Sequence, residues 1–283
     1  MKHAPLLKLA GALSLILIGF IGITLWQHEP LDSGAGKGDP LLKVVEVNIY
    51  GHSSLMSFEE QNQEVIDTFR SVWTGTLVGG KRVPGIKGQG IDFSANEQAN
   101  EQAYVAFDIC CKSDEMKRAR GREITFDFGG ISMGMWIKPL AINEQDIYPL
   151  LGGWYGDVQS NKLRINQGHL ELLIYDASGF SPEVAVRSRT VLSNDRWYHI
   201  ALVHDGHQAN LYIDGELDAS DTLDRKVGSI MNDFFIGGIP SGYPNFGQAR
   251  FPGIIDEFVM SERIFSAKDV RAIYGLVPKG TLN

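Results

Sequence analysis

Residues 195–220, DRWYHIALVHDGHQANLYIDGELDAS, constrain the fold more than any other stretch of the chain. From Trp197 to Val203 the residues are apolar or aromatic almost throughout, as in a strand covered on both faces. Asp205-Gly206 marks a turn. A second strand starts at Leu211-Tyr212-Ile213, and Asp214-Gly215 turns the chain again. Two strands and two turns of this kind describe an antiparallel hairpin inside a sandwich.

The same segment carries a family resemblance. W-Y-H-I-A-L-V, a short Asp-Gly loop and L-Y-I-D-G-E-L resemble the central hairpin of laminin-G-like domains, within the concanavalin A-like lectin and glucanase superfamily. Phe251 to Phe258, FPGIIDEF, followed by SERIFSAKDVRAIY, is similar to that family's closing strand and short helix. A looser match is TGTLVGG at 74–80 with GIKGQGIDFS at 85–94. The matches together span about residues 53 to 274. The resemblance implies an all-β, two-sheet antiparallel jelly-roll sandwich closed by a short C-terminal helix.

The bulk of the chain agrees. A body of roughly 200–250 residues suits one large sandwich and needs no staples. The 32 glycines suit many tight turns. A net charge of −8 argues against nucleic acid as a partner, because there is no cationic excess to neutralise phosphates. The two cysteines, Cys110 and Cys111, are neighbours and lack zinc spacing. Their Cα atoms lie about 3.8 Å apart, below the usual disulfide range of about 4.4–6.8 Å. One thiol inward and one outward on a strand is the expected arrangement. A strained vicinal disulfide is the alternative, which an oxidising compartment permits.

Three divisions follow along the chain: residues 1–27, 28–40 and 41–283. Residues 9–26 carry no charge, and Leu6 and Leu7 extend the run past Lys8. Eighteen helical residues reach about 27 Å, nearly the thickness of a hydrocarbon core. Lys2 and Lys8 precede the run and Glu29, Asp32 and Asp39 follow it. That bias predicts one transmembrane helix over residues 6–26, with the N-terminus in the cytoplasm and the sandwich on the extracytoplasmic side. In a bacterium this is the inner membrane facing the periplasm. The rival is a cleaved signal peptide, for which Ser33-Gly34-Ala35 lies far past the run. HEPLDSGAGKGDP (28–40) is a flexible linker.

Further strands are predicted at 45–50, 54–58, 91–93, 104–107 and 131–138. A hairpin is predicted around Asn166-Gln167-Gly168, and short strands at 234–237 and 253–260. Residues 112–122, KSDEMKRARGR, mix both signs and suit a solvated loop; the alternative is a patch for an anionic glycan or headgroup. Ser266 to Asp269 is a capping box opening a helix with Val270, Ile273 and Tyr274 on one face, ended by Gly275.

Glucanases of the laminarinase type resemble one another in a strand motif, E-x-D-x-x-E, that lines carboxylates on one face. The nearest approach here runs from Glu216 through Asp218 to Asp221, beside a turn where polar residues are expected, so an enzyme is not predicted. His199, in the apolar strand, is expected to be a hydrogen-bonded core histidine. His204 and His207 flank a turn and form a weak metal signal. The resemblance implies that Trp136 packs in the core. It also implies a structural calcium ion at Asp256 of the closing strand, with Glu59 as an additional ligand; the alternative is that Asp256 anchors backbone amides. Two aromatic loops carry sugar-binding sets: Trp154, Tyr155 and Asp157, and Tyr243, Asn245 and Arg250. The expected function is a membrane-anchored, non-catalytic recognition module for a carbohydrate or an envelope protein. The alternatives are a glycan-active hydrolase and a structural subunit of an envelope assembly.

Overall fold

The computed structural model describes residues 53–66, 74–94, 102–108, 130–155, 158–175, 182–223, 233–241, 243, 250–261 and 263–277. The apolar run at 9–26, the linker, the strand at 45–50, Cys110, Cys111, the charged segment 112–122, Asp157 and Asn245 lie outside them. Among the described residues no helix is long and apolar enough to cross a membrane.

Two eight-stranded antiparallel sheets face one another. Sheet A contains β1 (Ser53–Met56), β4 (Lys81–Pro84), β5 (Gln89–Asp92), β7 (Ile131–Pro139), β12 (Tyr198–His204), β13 (Gln208–Ile213), β14 (Glu216–Thr222) and β16 (Gly253–Ser261). Its order is β14-β13-β12-β7-β16-β5-β4, with β1 also paired to β16. Sheet B contains β2 (Glu64–Ile66), β3 (Thr74–Val78), β6 (Tyr104–Asp108), β8 (Ile147–Tyr155), β9 (Val158–Asn166), β10 (His169–Tyr175), β11 (Pro182–Val191) and β15 (Asp233–Ile236). Its order is β11-β10-β9-β8-β15-β6-β3-β2.

The predicted sandwich is therefore present, with differences in detail. Residues 195–220 hold three strands rather than two: β12, β13 and most of β14. β13 begins at Gln208, and Leu211 to Ile213 is its end. The predicted β9–β10 hairpin turns through Gln167 and Gly168, both at positive φ (53° and 75°), the conformation of a two-residue turn matching strand twist. β2, β3, β4 and β11 were not predicted. β2 buries Val65 but exposes Glu64, and β11 has two register shifts against β10, so neither shows clean alternation.

One face of each sheet supplies the main core. Ile200 and Leu202 of β12, Met133, Met135 and Ile137 of β7, and Ile255, Phe258 and Met260 of β16 meet Leu163, Ile165, Leu170, Leu172, Phe234 and Ile236 of sheet B. β12 is buried at every position, and its second face has its own cover. That cover is α1 (Ala267–Tyr274), capped by a reciprocal Ser266–Asp269 box as predicted. Phe265, Val270 and Ile273 pack on Leu55, Ala201, Val203, Tyr212 and Val259. Gly275 ends the helix in a right-handed conformation, φ −70° and ψ −6°. Trp136 is buried as implied, beneath this cover and beside Ile86, Trp197 and Val277 rather than between the sheets.

The edge strands β11 and β14 are stitched across the sandwich. A register shift follows Leu211 in the β13–β14 ladder, and Asp218 is the residue it leaves over. Its carboxylate accepts the main-chain N–H groups of Arg189 (2.6 Å) and Thr190 (3.2 Å) and the Thr190 hydroxyl. A carboxylate thus satisfies donors that an open edge would present. Asp218→Ala is expected to cost about 1–3 kcal/mol in urea unfolding. A loss below about 0.5 kcal/mol, the level of an ordinary surface change, would show that the stitch contributes nothing.

Candidate functional site

The face of sheet B turned away from the core carries the aromatic set. On β15, Phe234 and Ile236 point inward, so the pleat turns Phe235 outward. Tyr104 of β6 meets Phe235 edge-on at 5.7 Å between ring centroids, and Tyr243 does so at 4.9 Å. Ile239 and Ala106 complete the cluster. The described ends of the segment after β15 are pinned together: Phe251 donates its N–H to the Gly237 carbonyl (2.7 Å), and Gly238 bridges to Arg250. Gly237 sits at φ +78°, where a Cβ would lie 2.5 Å from the Phe93 ring, so the tight exit from β15 requires glycine. Tyr104, Tyr243 and Arg250 remain half-exposed.

Trp154 and Tyr155 are not in a loop as predicted; they end strand β8. The Gly-Gly before them suggested a turn, but β8 continues through it between β9 and β15. Register places Trp154 opposite Asp233 and Gly152 opposite Phe235. Trp154 and Tyr155 thus end the strand that neighbours β15, and Tyr243 and Arg250 belong to the segment that follows β15.

Next to Gly152 in register is Lys162 of β9, buried on the same face. Burial, then the neighbouring Arg164 charge, lowers its pKa to about 8. Glu171 of β10, buried, pairs with Arg164 (2.8 Å) and Arg187 and accepts from Asn166 (3.2 Å). Sequence reasoning missed this cluster. Its signal was a glutamate inside the apolar run HLELLIY, facing charged residues that alternate with Leu163 and Ile165.

Of the two residues expected to hold a metal, Asp256 lies on β16 of sheet A and Glu59 lies between β1 and β2. β16 pairs with β5 through Ile254 and Ile255, then with β1 from Phe258 to Ser261. The changeover is a bulge, with Glu257 at φ +48°. Asp256 is fully buried there and accepts the N–H groups of Lys87 (3.1 Å) and Glu257 (2.8 Å). Glu59 accepts the N–H of Gln89 (3.0 Å). The turn between β4 and β5 wraps both carboxylates closely: a Cβ on Gly85 would lie 2.2 Å from Asp256 Oδ2, and one on Gly88 2.0 Å from Glu59 Oε1. Burial, then the charges of Glu257 and Glu59, raises the Asp256 pKa well above its ordinary value. Among the described residues no group of three His, Cys, Asp or Glu side chains converges as metal ligands would.

His199 departs from expectation. It is a core residue, but neither ring nitrogen has a hydrogen-bond partner. The ring is packed against Trp136 (5.3 Å) and Tyr274 (6.1 Å) instead. His204 is buried and His207 exposed.

Glu216 and Asp218 line a cavity of about 260 Å³ with Asp214, Arg196, Tyr198 and Leu217. The chain itself occupies most of its polar groups. Asp218 holds β11, and Asp214 accepts the His199 N–H (3.0 Å) and pairs with Arg196 (2.7 Å). The Arg196 guanidinium lies 4.5 Å over the Tyr198 ring. Glu216 is exposed, 3.7 Å from Arg271.

Solved structures share this architecture. A Trypanosoma rangeli sialidase in complex with 2,3-difluoro-KDN superimposes with a TM-score of 0.56 at 15% identity, over 78% of this chain and 32% of its own. The binding domain of Paraclostridial mosquitocidal protein 1 gives 0.56 at 18%, over 78% and 52%. The binding domain of botulinum neurotoxin DC, in complex with rat synaptotagmin II, gives 0.58 at 10%, over 80% and 51%. The chain thus spans between a third and about half of these proteins, and at such identities the likeness is one of fold. No curated protein sequence matches it. A family profile described as laminin G, of the concanavalin A-like lectin and glucanase superfamily, matches residues 117–271, over half of the chain, and the chain belongs to that family.

Proposed function

We propose that this chain is a non-catalytic recognition module that binds carbohydrate on the outer face of sheet B. The observation that carries the reading is the set of half-exposed Tyr104 and Tyr243 rings edge-on to Phe235, with Arg250 at the foot of the same loop. An aromatic surface with a fixed polar group is what a sugar ring needs, since its C–H face packs on the ring and its hydroxyls need donors. Tyr155, Asp157 and Asn245 belong to the same proposal through their place in sequence beside this face. So does Trp154, through its register position.

The lectin-like fold supports recognition, and two of the solved structures named above are binding domains. Asp218, committed to the β11 backbone, is a poor acid or nucleophile, which weighs against the hydrolase alternative. The sialidase of similar fold is the observation that keeps that alternative in play. A protein ligand is the second reading, favoured by the neurotoxin domain solved with synaptotagmin. The apolar run at 6–26 completes the proposal: it holds the sandwich at the outer face of the cytoplasmic membrane. A glycan array on the full-length chain tests the reading. Binding to a defined set of glycans is expected, weakened about tenfold or more by Tyr243→Ala with unfolding unchanged. No glycan bound, or binding indifferent to Tyr243, would overturn it.

Calcium belongs to the proposal as a structural ion held by Asp256 and Glu59. The residues fit in charge and hardness: a buried Asp256 carboxylate and the exposed Glu59 carboxylate beside it, whose mutual repulsion a divalent cation would relieve. A proton and a cation compete for Asp256. Its folded pKa is raised, so its protonated form is stabilising at low pH and that contribution is lost as pH rises through the folded value. Calcium at about 1 mM, the range of extracellular modules, should therefore raise the Tm by a few degrees, and by more at higher pH. Equal Tm with calcium and with chelator across that range would leave Asp256 as a backbone anchor only.

A further inference from the structure

Under α1 lies a titratable group that the recognition face does not use. His199 is 1% exposed, and both its ring nitrogens lack a hydrogen-bond partner. A neutral imidazole carries one N–H and one acceptor; an imidazolium carries two N–H groups and a charge. Neither form is satisfied here, and the charged one far less so. The ring's neighbours are chosen from apolar stock. Trp136 stands opposite it on β7, Gly134 Cα leaves space near Nε2, and Tyr274 of α1 covers it.

We propose that His199 is an acid-sensitive latch: its protonation releases the C-terminal helix α1 and its flanks from the outer face of sheet A. The lid is small. α1 has eight residues and is held by Phe265, Val270, Ile273 and Tyr274. An isolated helix of that length is not stable in water, so its docking is its stability. Lifting it gives His199 water and uncovers Leu55, Val203, Tyr212 and Val259.

The sign follows from burial. Desolvation holds the docked ring's pKa down to about 3, against 6.5 in water. A depressed value means that docking is fully favoured above about pH 6.5 and is progressively lost as pH falls toward 3. Between pH 8 and pH 5 the lifted population should rise about 30-fold. The other charged groups facing this site do not reproduce that slope. Asp214, on the turn after β13, uses its carboxylate on the His199 main chain and on Arg196; burial raises its pKa, which favours docking at low pH. Asp256, beside Trp136 in register, is raised too and acts in the same direction. Tyr212 and Tyr274, raised by burial, stay protonated throughout this window. Arg271 lies against Glu216, and Asp269 against Arg263. His204 is buried as well, with its pKa lowered to about 4, but it faces away from α1 on the alternate side of β12.

Hydrogen exchange of the full-length chain, corrected for intrinsic rates, tests the latch. Peptides covering 265–277 should open about 30-fold more at pH 5 than at pH 8, while β7 peptides on the core side change much less. In His199→Phe, and in His199→Gln should the first fold poorly, the helix should lose that response. A rise of less than about threefold in the natural chain, or the same rise in both variants, would overturn the proposal.

Discussion

Burial of both faces of β7, β12 and β16 is the constraint on which the rest of this structure depends. A strand in a two-layer sandwich normally keeps one face in water. Here the inward residues meet sheet B and the outward residues would be left wet. The chain answers with a capped helix and its flanking apolar residues laid over the second face. Trp136 and His199 are where they are because of that third layer. Sheet B has no corresponding helix among its described residues, and its outer face carries half-exposed tyrosines and buried ion pairs instead.

The bulge in β16 is the second organising feature. One strand must serve β5 along its first half and β1 along its second. The changeover frees the Glu257 N–H, and Asp256 collects it together with the Lys87 N–H of the β4–β5 turn. Gly85 and Gly88 let the β4–β5 turn close over Asp256 and Glu59 with no room for a side chain. Backbone satisfaction and accumulated negative charge thus share a single small volume, and that is why an ion there would act on stability before it acted on chemistry.

Much of this fold was legible in the residues themselves. β12 announced its double burial through a run that is apolar or aromatic apart from His199, and the Asp-Gly pairs marked its turns. The capping box of α1 needs only Ser266 and Asp269 at the right spacing. β2 was not legible, because a three-residue strand with one buried valine has no period to detect; β3 alternates in burial, but its inward positions are Gly75 and Leu77, and a glycine carries no apolar signal. Trp154 and Tyr155 were misplaced because Gly152-Gly153 looks like a turn, whereas an interior strand can carry glycines through when its neighbours supply the ladder. His199 could be placed in the core from its strand, but not denied a partner, since that depends on Trp136 and Tyr274 arriving from distant segments. For the candidate site, aromatics and Arg250 were visible as types. Their meeting on one face depends on the β8–β15–β6 pairing, which joins residues about 80 apart in sequence on one side of β15 and about 130 apart on the other.

The central claim is that the outer face of sheet B holds a sugar without breaking it. Crystals of the chain soaked with an oligosaccharide that it retains test this most directly. The account predicts an intact glycan lying across Tyr104 and Tyr243 with Arg250 in hydrogen-bond reach. A cleaved product, or a glycan seated elsewhere with this aromatic face bare, would contradict it.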